Sequence, residues 1–298
     1  MNSLPESYEP RIHRAEVTSA QHVSPGMVRV VFGGDDLRDF PTTGVGDEYV
    51  RLFFPEDPDE VPGLPIVSGR GWEFEDGVKP SEPRVYTIRR HDPGEITVDF
   101  VVHEGGIAAQ WASQARPGQI VGVNPPYGLY ERPEAAQRQI LVADEPGLPA
   151  ALRIAEQTAG DVPTTLVLEV RGEDNRLFAE VAGAQYQWLS GTGNGHKPSQ
   201  LEEALRRLPI DDDTYVWVAS EGRLNRAIRK HLRHGLGMPA SHYKCIAYWQ
   251  DDAEAWRARY DELGPEFRDR IRALWADEER DSEEIFDDVQ RMYEVAGL

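Results

Sequence analysis

The hydrophobic rhythm of this chain changes near Pro133, and that change narrows the choice of folds sharply. Before it, the stretches MVRVVFGG (27–34), EYVRLFFP (48–55), VYTIRR (85–90), EITVDFVVH (95–103) and GQIVGVNPP (118–126) carry β-branched or aromatic residues at period two, and RIHRAEVTSA adds a sixth. Six short strands punctuated by Gly and Pro predict an antiparallel β-barrel. After it, the apolar runs QILVA, TTLVLEV, YQWLS, TYVWVAS and YKCIAYW alternate with GLPAALRIAEQ, QLEEALRRL and RLNRAIRKHLRH, which carry apolar residues at helical spacing. That alternation predicts a parallel α/β sheet, whose default ligand is a nucleotide at the carboxyl ends of its strands. Beyond Trp249 the chain turns acidic and helical. The expected organisation is a barrel over residues 1–132, an α/β unit over 133–250 and a helical extension over 251–298. Residues 56–83 are too long and too polar for a hairpin loop, so disorder is expected there in preference to a mobile lid.

Composition limits the partners. With 52 acids against 32 bases, a net charge of −20, the surface repels nucleic acid and anionic bilayers at long range and suits small molecules better. MNSLPESYEP lacks an apolar signal core and no run approaches the roughly 18–20 apolar residues that cross a bilayer, so a cytoplasmic protein without membrane insertion is expected. Nothing in the chain defines an oligomeric state, and a monomer is the default. The lone cysteine, Cys245, lies in the apolar stretch KCIAYW; it excludes an intrachain disulfide and a zinc cluster and reads as a core thiol. His231 and His234, three apart on a helix with no third ligand nearby, read as a solvated face and not as a metal site.

The heptad RVYTIRR (84–90) places Arg84, Tyr86, Thr87 and Arg89 together where a half-buried strand would alternate apolar with polar. Taken alone it is compatible with an exposed charged hairpin strand. In context, PRVYTIRR resembles the Arg-x-Tyr-Thr-x-Arg flavin motif of the siderophore-interacting proteins, FAD-dependent ferric-siderophore reductases with a ferredoxin reductase-like outline. VDFVVHEGGIAAQWASQARPGQ, ADEPGLPAALRIAEQ and IAYWQDD resemble that family's next three motifs, in the same order.

The resemblance implies bound FAD, NADH or NADPH as electron donor, and a ferric siderophore as acceptor. Arg84 is then expected to clamp a phosphate through its planar fork, Tyr86 to offer an aromatic face to the flavin ring, and Thr87, the expected catalytic residue, to lie near the reactive flavin edge. Arg89 and Val102 complete the set on these strands. Gly105, Gly106, Ala108 and Ala109 form a loop that lets backbone approach a phosphate before a helix N-terminus. His103 reads either as a ribose or phosphate contact or as a structural hydrogen bonder, and Trp111 as a packing residue before a stacking one. Asp144 and Glu145 fill the first turn of the α/β unit without a Gly-x-Gly-x-x-Gly fingerprint.

Glu169, at the end of the second strand of that unit, is placed to accept from an adenosine ribose, which favours NADH, whereas Arg171 would favour the 2′-phosphate of NADPH; the balance leans to NADH. Tyr248 and Trp249 read equally as a cover for the site or as core. Of three basic positions that relatives present to an anionic chelate, only Arg51 remains basic here, the others being Tyr127 and Gln250, with Arg70 a possible substitute. A neutral or weakly charged chelate is therefore expected as the preferred acceptor. A flavin reductase or diaphorase with another acceptor, and a non-catalytic ferric-chelate-binding flavoprotein, are the competing readings.

Overall fold

The computed structural model describes residue 4 and residues 8–68, 71–81, 83–103, 106–177, 181–277 and 279–298. The first half contains β1 (His13–Ser24), β2 (Met27–Gly33), β3 (Tyr49–Phe53), the short pair β4 (Ile66–Ser68) and β5 (Gly71–Glu73), then β6 (Arg84–Asp92), β7 (Glu95–Val101), helix α1 (Ile107–Ser113) and β8 (Ile120–Val123). Six of these strands close into a barrel in the order β1-β2-β7-β6-β3-β8, with every ladder antiparallel. The period-two pattern explains the closure, because Leu52, Ile88, Ile96 and Phe100 all turn inward and are fully buried. Each such side chain contributes about 1.5–3 kcal/mol by leaving water.

Within β6 the pattern is more regular than its sequence suggests. Val50 and Leu52 of β3, both buried inside the barrel, pair directly with Tyr86 and Arg84. Arg84, Tyr86 and Ile88 therefore share the inner face, and Val85 and Thr87 the outer one. The real break is a register shift between Ile88 and Arg90 that leaves Arg89 as a bulge.

The expected disorder of residues 56–83 does not hold for the described part of that segment. β4 and β5 pair there, and Trp72 sets its ring edge-on to Phe53 at 5.3 Å, so one aromatic anchor gives the long connection a footing on the barrel.

The second half contains β9 (Arg138–Ala143), α2 (Leu148–Gln157), β10 (Thr164–Val170), β11 (Gln185–Ser190), α3 (Leu201–Arg206), β12 (Thr214–Glu221), α4 (Gly222–Lys230) and β13 (Tyr243–Trp249). Its five strands are all parallel, in the order β11-β10-β9-β12-β13. The three central strands are buried almost end to end, which is why they read as apolar runs without alternation. The strand order reverses between β9 and β12, so a crevice opens at their carboxyl ends.

Helices α5 (Ala253–Glu262), α6 (Gly264–Trp275) and α7 (Ser282–Ala296) follow, with a small core of Ile271, Ile285 and Val289. His234 stays half exposed, as a solvated face requires, and His231 turns to Arg206 of α3, whereas the arginines of the same helical segment carry this extension. Arg229 is 3% exposed and bonds Glu283 and Asp287 of α7, Arg233 reaches Asp287 at 2.8 Å, and His234 lies 3.2 Å from Asp287. An acidic helix gains more on a basic face than in water, and the local pattern of α4 does not reveal that partner. Cys245 packs on the apolar cluster beneath β12 and α4, and burial pushes its thiol upward, as a core thiol requires. No described helix is long and apolar enough to cross a membrane.

Candidate functional site

The barrel meets the carboxyl-terminal edge of the sheet along a polar seam. On the barrel side, Tyr49 of β3 pairs with Thr87 of β6, which puts both side chains on the outer face. The Thr87 hydroxyl stands 3.4 Å from that of Tyr248 on β13, longer than the roughly 2.8 Å of a settled hydroxyl hydrogen bond. Barrel and last strand are thus in reach of each other but not closed. In this contact the Thr87 hydroxyl donates and the phenol oxygen of Tyr248 accepts, and burial pushes that phenol upward, toward its neutral form. Beside this contact the ring of Tyr127, half exposed, stacks on Tyr49 at 5.8 Å, and the guanidinium of Arg51 lies 5.6 Å over the ring of Trp72.

Arg84 and Tyr86 lie on the inner face of β6. The Tyr86 ring rests on Phe100 with centroids 4.4 Å apart, and burial pushes its phenol up to about 12. Gly106 caps the N-terminal end of α1, whose first turn carries no acid and, among the described residues, no side-chain cap. A Cβ on Gly106 would stand 2.4 Å from the His103 ring, so any side chain there would displace that imidazole. Gly105 lies outside the described residues, as does Arg70.

An uncapped helix start after a glycine turn fits the diphosphate of a flavin nucleotide, the Arg84 guanidinium on β6 suits an anion, and the Thr87–Tyr248 gap fits the edge of the flavin ring. The side chains of Ala108, Ala109 and Trp111 face the barrel, so of these residues only the backbone of Ala108 and Ala109, in the first turn of α1, is offered to a phosphate. All three are buried, and Trp111 stacks on Phe32 at 6.0 Å and tilts against Phe54 and Phe100, because α1 turns its apolar face into the barrel.

Several charged residues expected to meet the cofactor are committed to the protein itself. Arg89, bulged out of β6, grips Glu156 of α2 with both guanidinium ends at 2.6 Å. Glu145 is 1% exposed and accepts from the backbone N–H and Nε of Arg171 and from Nδ2 of Asn175. The Arg171 guanidinium then reaches the carbonyl of Val102, so this group ties the end of β7 to the sheet. Glu169 is fully buried, and its carboxylate accepts from the hydroxyls of Thr192 and Ser199 and from the backbone of Gln200. Buried beneath these residues, it exposes no oxygen to a ribose, and Arg171 is held toward Glu145 and Val102.

Asp144 directly follows β9 at the strand-order reversal. Its Oδ2 accepts from the Trp249 indole at 2.7 Å and from the Glu221 backbone at 2.9 Å, while Oδ1 is buried without a hydrogen-bond partner. Burial pushes this carboxyl up to about 7, against the two N–H groups, which favour its charged form. Trp249 is thereby fixed by a carboxyl and not by core packing. Gln250 sits against Gly222 at the start of α4.

Beside Asp144 lies a cavity of about 440 Å³, lined at its floor by Asp144, Glu169 and Gly193 and at its rim by His196, Lys197 and Arg223. The sequence reading missed this loop after β11. Its signal was present in the alternating glycines of SGTGNGHKPS (190–199), directly after an apolar strand.

Comparison with known proteins agrees with this architecture. The profile of the siderophore-interacting FAD-binding domain matches residues 16–130, and that of the siderophore-interacting protein matches residues 136–252. The NADPH-dependent ferric-chelate reductase of Escherichia coli K12 is 30% identical over 249 residues, covering 80% of this chain and 93% of its own. The ferric vibriobactin reductase of Vibrio cholerae is 29% identical over 84% of this chain and 93% of its own. A siderophore utilization protein from T. fusca superposes with a TM-score of 0.70 at 29% identity, covering 83% of this chain and 95% of its own.

Proposed function

The chain belongs to the siderophore-interacting protein family, and on that premise we propose that it is an FAD-dependent cytoplasmic reductase that passes electrons from NADPH to a ferric siderophore. The observation that carries this reading is the seam itself, where Thr87 of the barrel and Tyr248 of the last parallel strand approach each other at 3.4 Å. Bound FAD supplies the conversion from a two-electron donor to a one-electron acceptor. Arg84 and the first turn of α1 hold its diphosphate, and Thr87 with Tyr248 fixes the ring edge. Asp144 holds Trp249 at the carboxyl end of β13, which keeps water from the reverse side of the seam. The ferric chelate is the substrate. Hard oxygen donors hold Fe(III) far better than Fe(II), so reduction loosens the complex without any protein acid or base.

Tyr49, Tyr127 and Arg51 face the open side of the seam, and the one guanidinium among them already rests on Trp72. Such a face suits a neutral or weakly charged chelate. Each absent cationic contact to a tris-catecholate costs about 0.5–1 kcal/mol.

An absorption spectrum of the purified protein before and after anaerobic NADPH tests the flavin and the donor together. Turnover of a tris-hydroxamate and a tris-catecholate at low and high salt then tests the acceptor. A protein without a flavin spectrum would overturn the reading. Tight, steeply salt-dependent turnover of the tris-catecholate that survives Arg51→Ala would overturn the acceptor class.

A further inference from the structure

We infer that the loop after β11 is the reader of the donor's 2′-phosphate, with Lys197 and Arg223 as the residues that select NADPH over NADH; this rests on the nicotinamide-dependent reading above. In open α/β sheets the adenosine ribose lies over the end of the second strand, here the end of β10, where Glu169 stands. Because Glu169 is spent on Thr192, Ser199 and Gln200, it does not read the ribose but shapes the loop laid across it. The loop is built for one conformation. Gly191, Gly193, Asn194 and Gly195 all have positive φ, and a Cβ on Gly193 would fall 1.9 Å from Oε2 of Glu169. Asn194 pins the middle of the loop by accepting from the backbone of Glu145 and donating to the carbonyl of Glu169.

The pinned segment presents His196 and Lys197 at the rim of the cavity, and α4 presents Arg223 to the same rim from the β12 side. All three are exposed, and none of their side chains makes an ion pair or hydrogen bond to a described residue. The acid Glu221, which also lines the cavity, is engaged within the protein, since Oε2 caps α4 by accepting from the backbones of Arg223 and Leu224 and Oε1 accepts from that of Asp251. A cavity of about 440 Å³ is large enough for an adenosine moiety. Its unpaired cations at the mouth over a hydrogen-bonded acidic floor suit a phosphate monoester outside and a base and sugar within. Asp251 is the opposing charge at the same rim.

The test is calorimetric titration of the FAD-loaded protein with 2′,5′-ADP and with 5′-ADP, a readout independent of turnover. The unmodified protein is expected to bind 2′,5′-ADP about tenfold or more tightly than 5′-ADP. Lys197→Ala and Arg223→Ala should each weaken 2′,5′-ADP about two- to fivefold, the pair should abolish the preference, and Asp251→Asn should strengthen it. Binding of 5′-ADP should change less than about twofold throughout. Equal binding of the two probes by the unmodified protein, or a preference that survives the double variant, would overturn the assignment while leaving a dinucleotide site in place. Binding of neither probe would overturn the dinucleotide site as well.

Discussion

Two buried arginines of the α/β sheet each anchor a neighbouring unit, and they do so in different dielectric surroundings. Arg153 of α2 faces the barrel, donating to the carbonyl of Ile88 at 2.7 Å and to Glu48 at 2.6 Å. Arg229 of α4 faces the C-terminal extension, bonding Glu283 and Asp287 and lying 4.4 Å over the ring of Phe286. Glu48 is completely buried, whereas the side chains of Glu283 and Asp287 are 25% and 17% exposed. Removing Arg153 strands a charge that water cannot reach, while removing Arg229 leaves acids that water can still solvate. The difference matches the position of the two seams. The barrel seam carries the candidate site and holds its parts in register. The extension lies almost wholly beyond residue 252, where the similarity to the family ends.

The largest effect that would sharpen this contrast is on Arg153. Arg153→Met should lower stability by about 3–5 kcal/mol in urea unfolding, and adding Glu48→Gln should recover part of the loss by removing the stranded charge. A loss no greater than that of Arg229→Met would break the comparison.

Next in size is a pH effect on the sheet side of the barrel seam. The Asp144 carboxyl, pushed by burial from 3.8 to about 7, holds a proton more tightly when folded. Its contribution is complete below pH 3.8 and is lost as pH rises through about 7; for a shift of this size that is up to about 4 kcal/mol. Stability measured across that window should fall less steeply with pH in Asp144→Asn than in the parent.

The extension seam should respond with the opposite sign. Burial alone would raise the carboxyl of Asp287, but hydrogen bonds and charge from Arg229 and Arg233 hold it below 3.8. It contributes stability above pH 3.8 that is lost as pH falls through its folded value. Arg229→Met should cost about 1.5–3 kcal/mol at neutral pH, and acid titration should show this loss narrowing. An identical acid limb in parent and variant would contradict the pairing.

The smallest effect is expected at Thr87. Its long contact to Tyr248 adds little to stability, so Thr87→Val should unfold within about 0.5–1 kcal/mol of the parent. Flavin reduction by NADPH, followed in a stopped-flow spectrometer, should slow several-fold all the same. An unchanged rate would remove Thr87 from the proposed chemistry.

The barrel and the parallel sheet were legible because burial is periodic along the chain. The inward Ile88, Ile96 and Phe100 stand at period two, and the central strand β12 is an unbroken apolar run; both follow from how a strand presents its faces. Arg84, Thr87 and Gly106 enter the proposed site from the sequence as well, since the residue types suited to a diphosphate and a ring edge sit close together along the chain. The charged residues were harder to read. Arg89, Glu145, Glu169 and Arg171 look from the sequence like groups awaiting a ligand, yet each is spent on a partner 67, 26, 23 and 26 residues away respectively. A carboxylate or guanidinium carries no local mark of whether it is free. Its partner depends on which strands adjoin and which loops return, and in a chain with 52 acids and 32 bases many pairings are chemically equivalent until the sheet order chooses among them. The sequence by itself determined where strands and helices form and which short stretches suit a flavin. Only the tertiary structure decided which charges remain available, because desolvation makes a buried ion bind whatever opposite charge or donor the fold brings within reach.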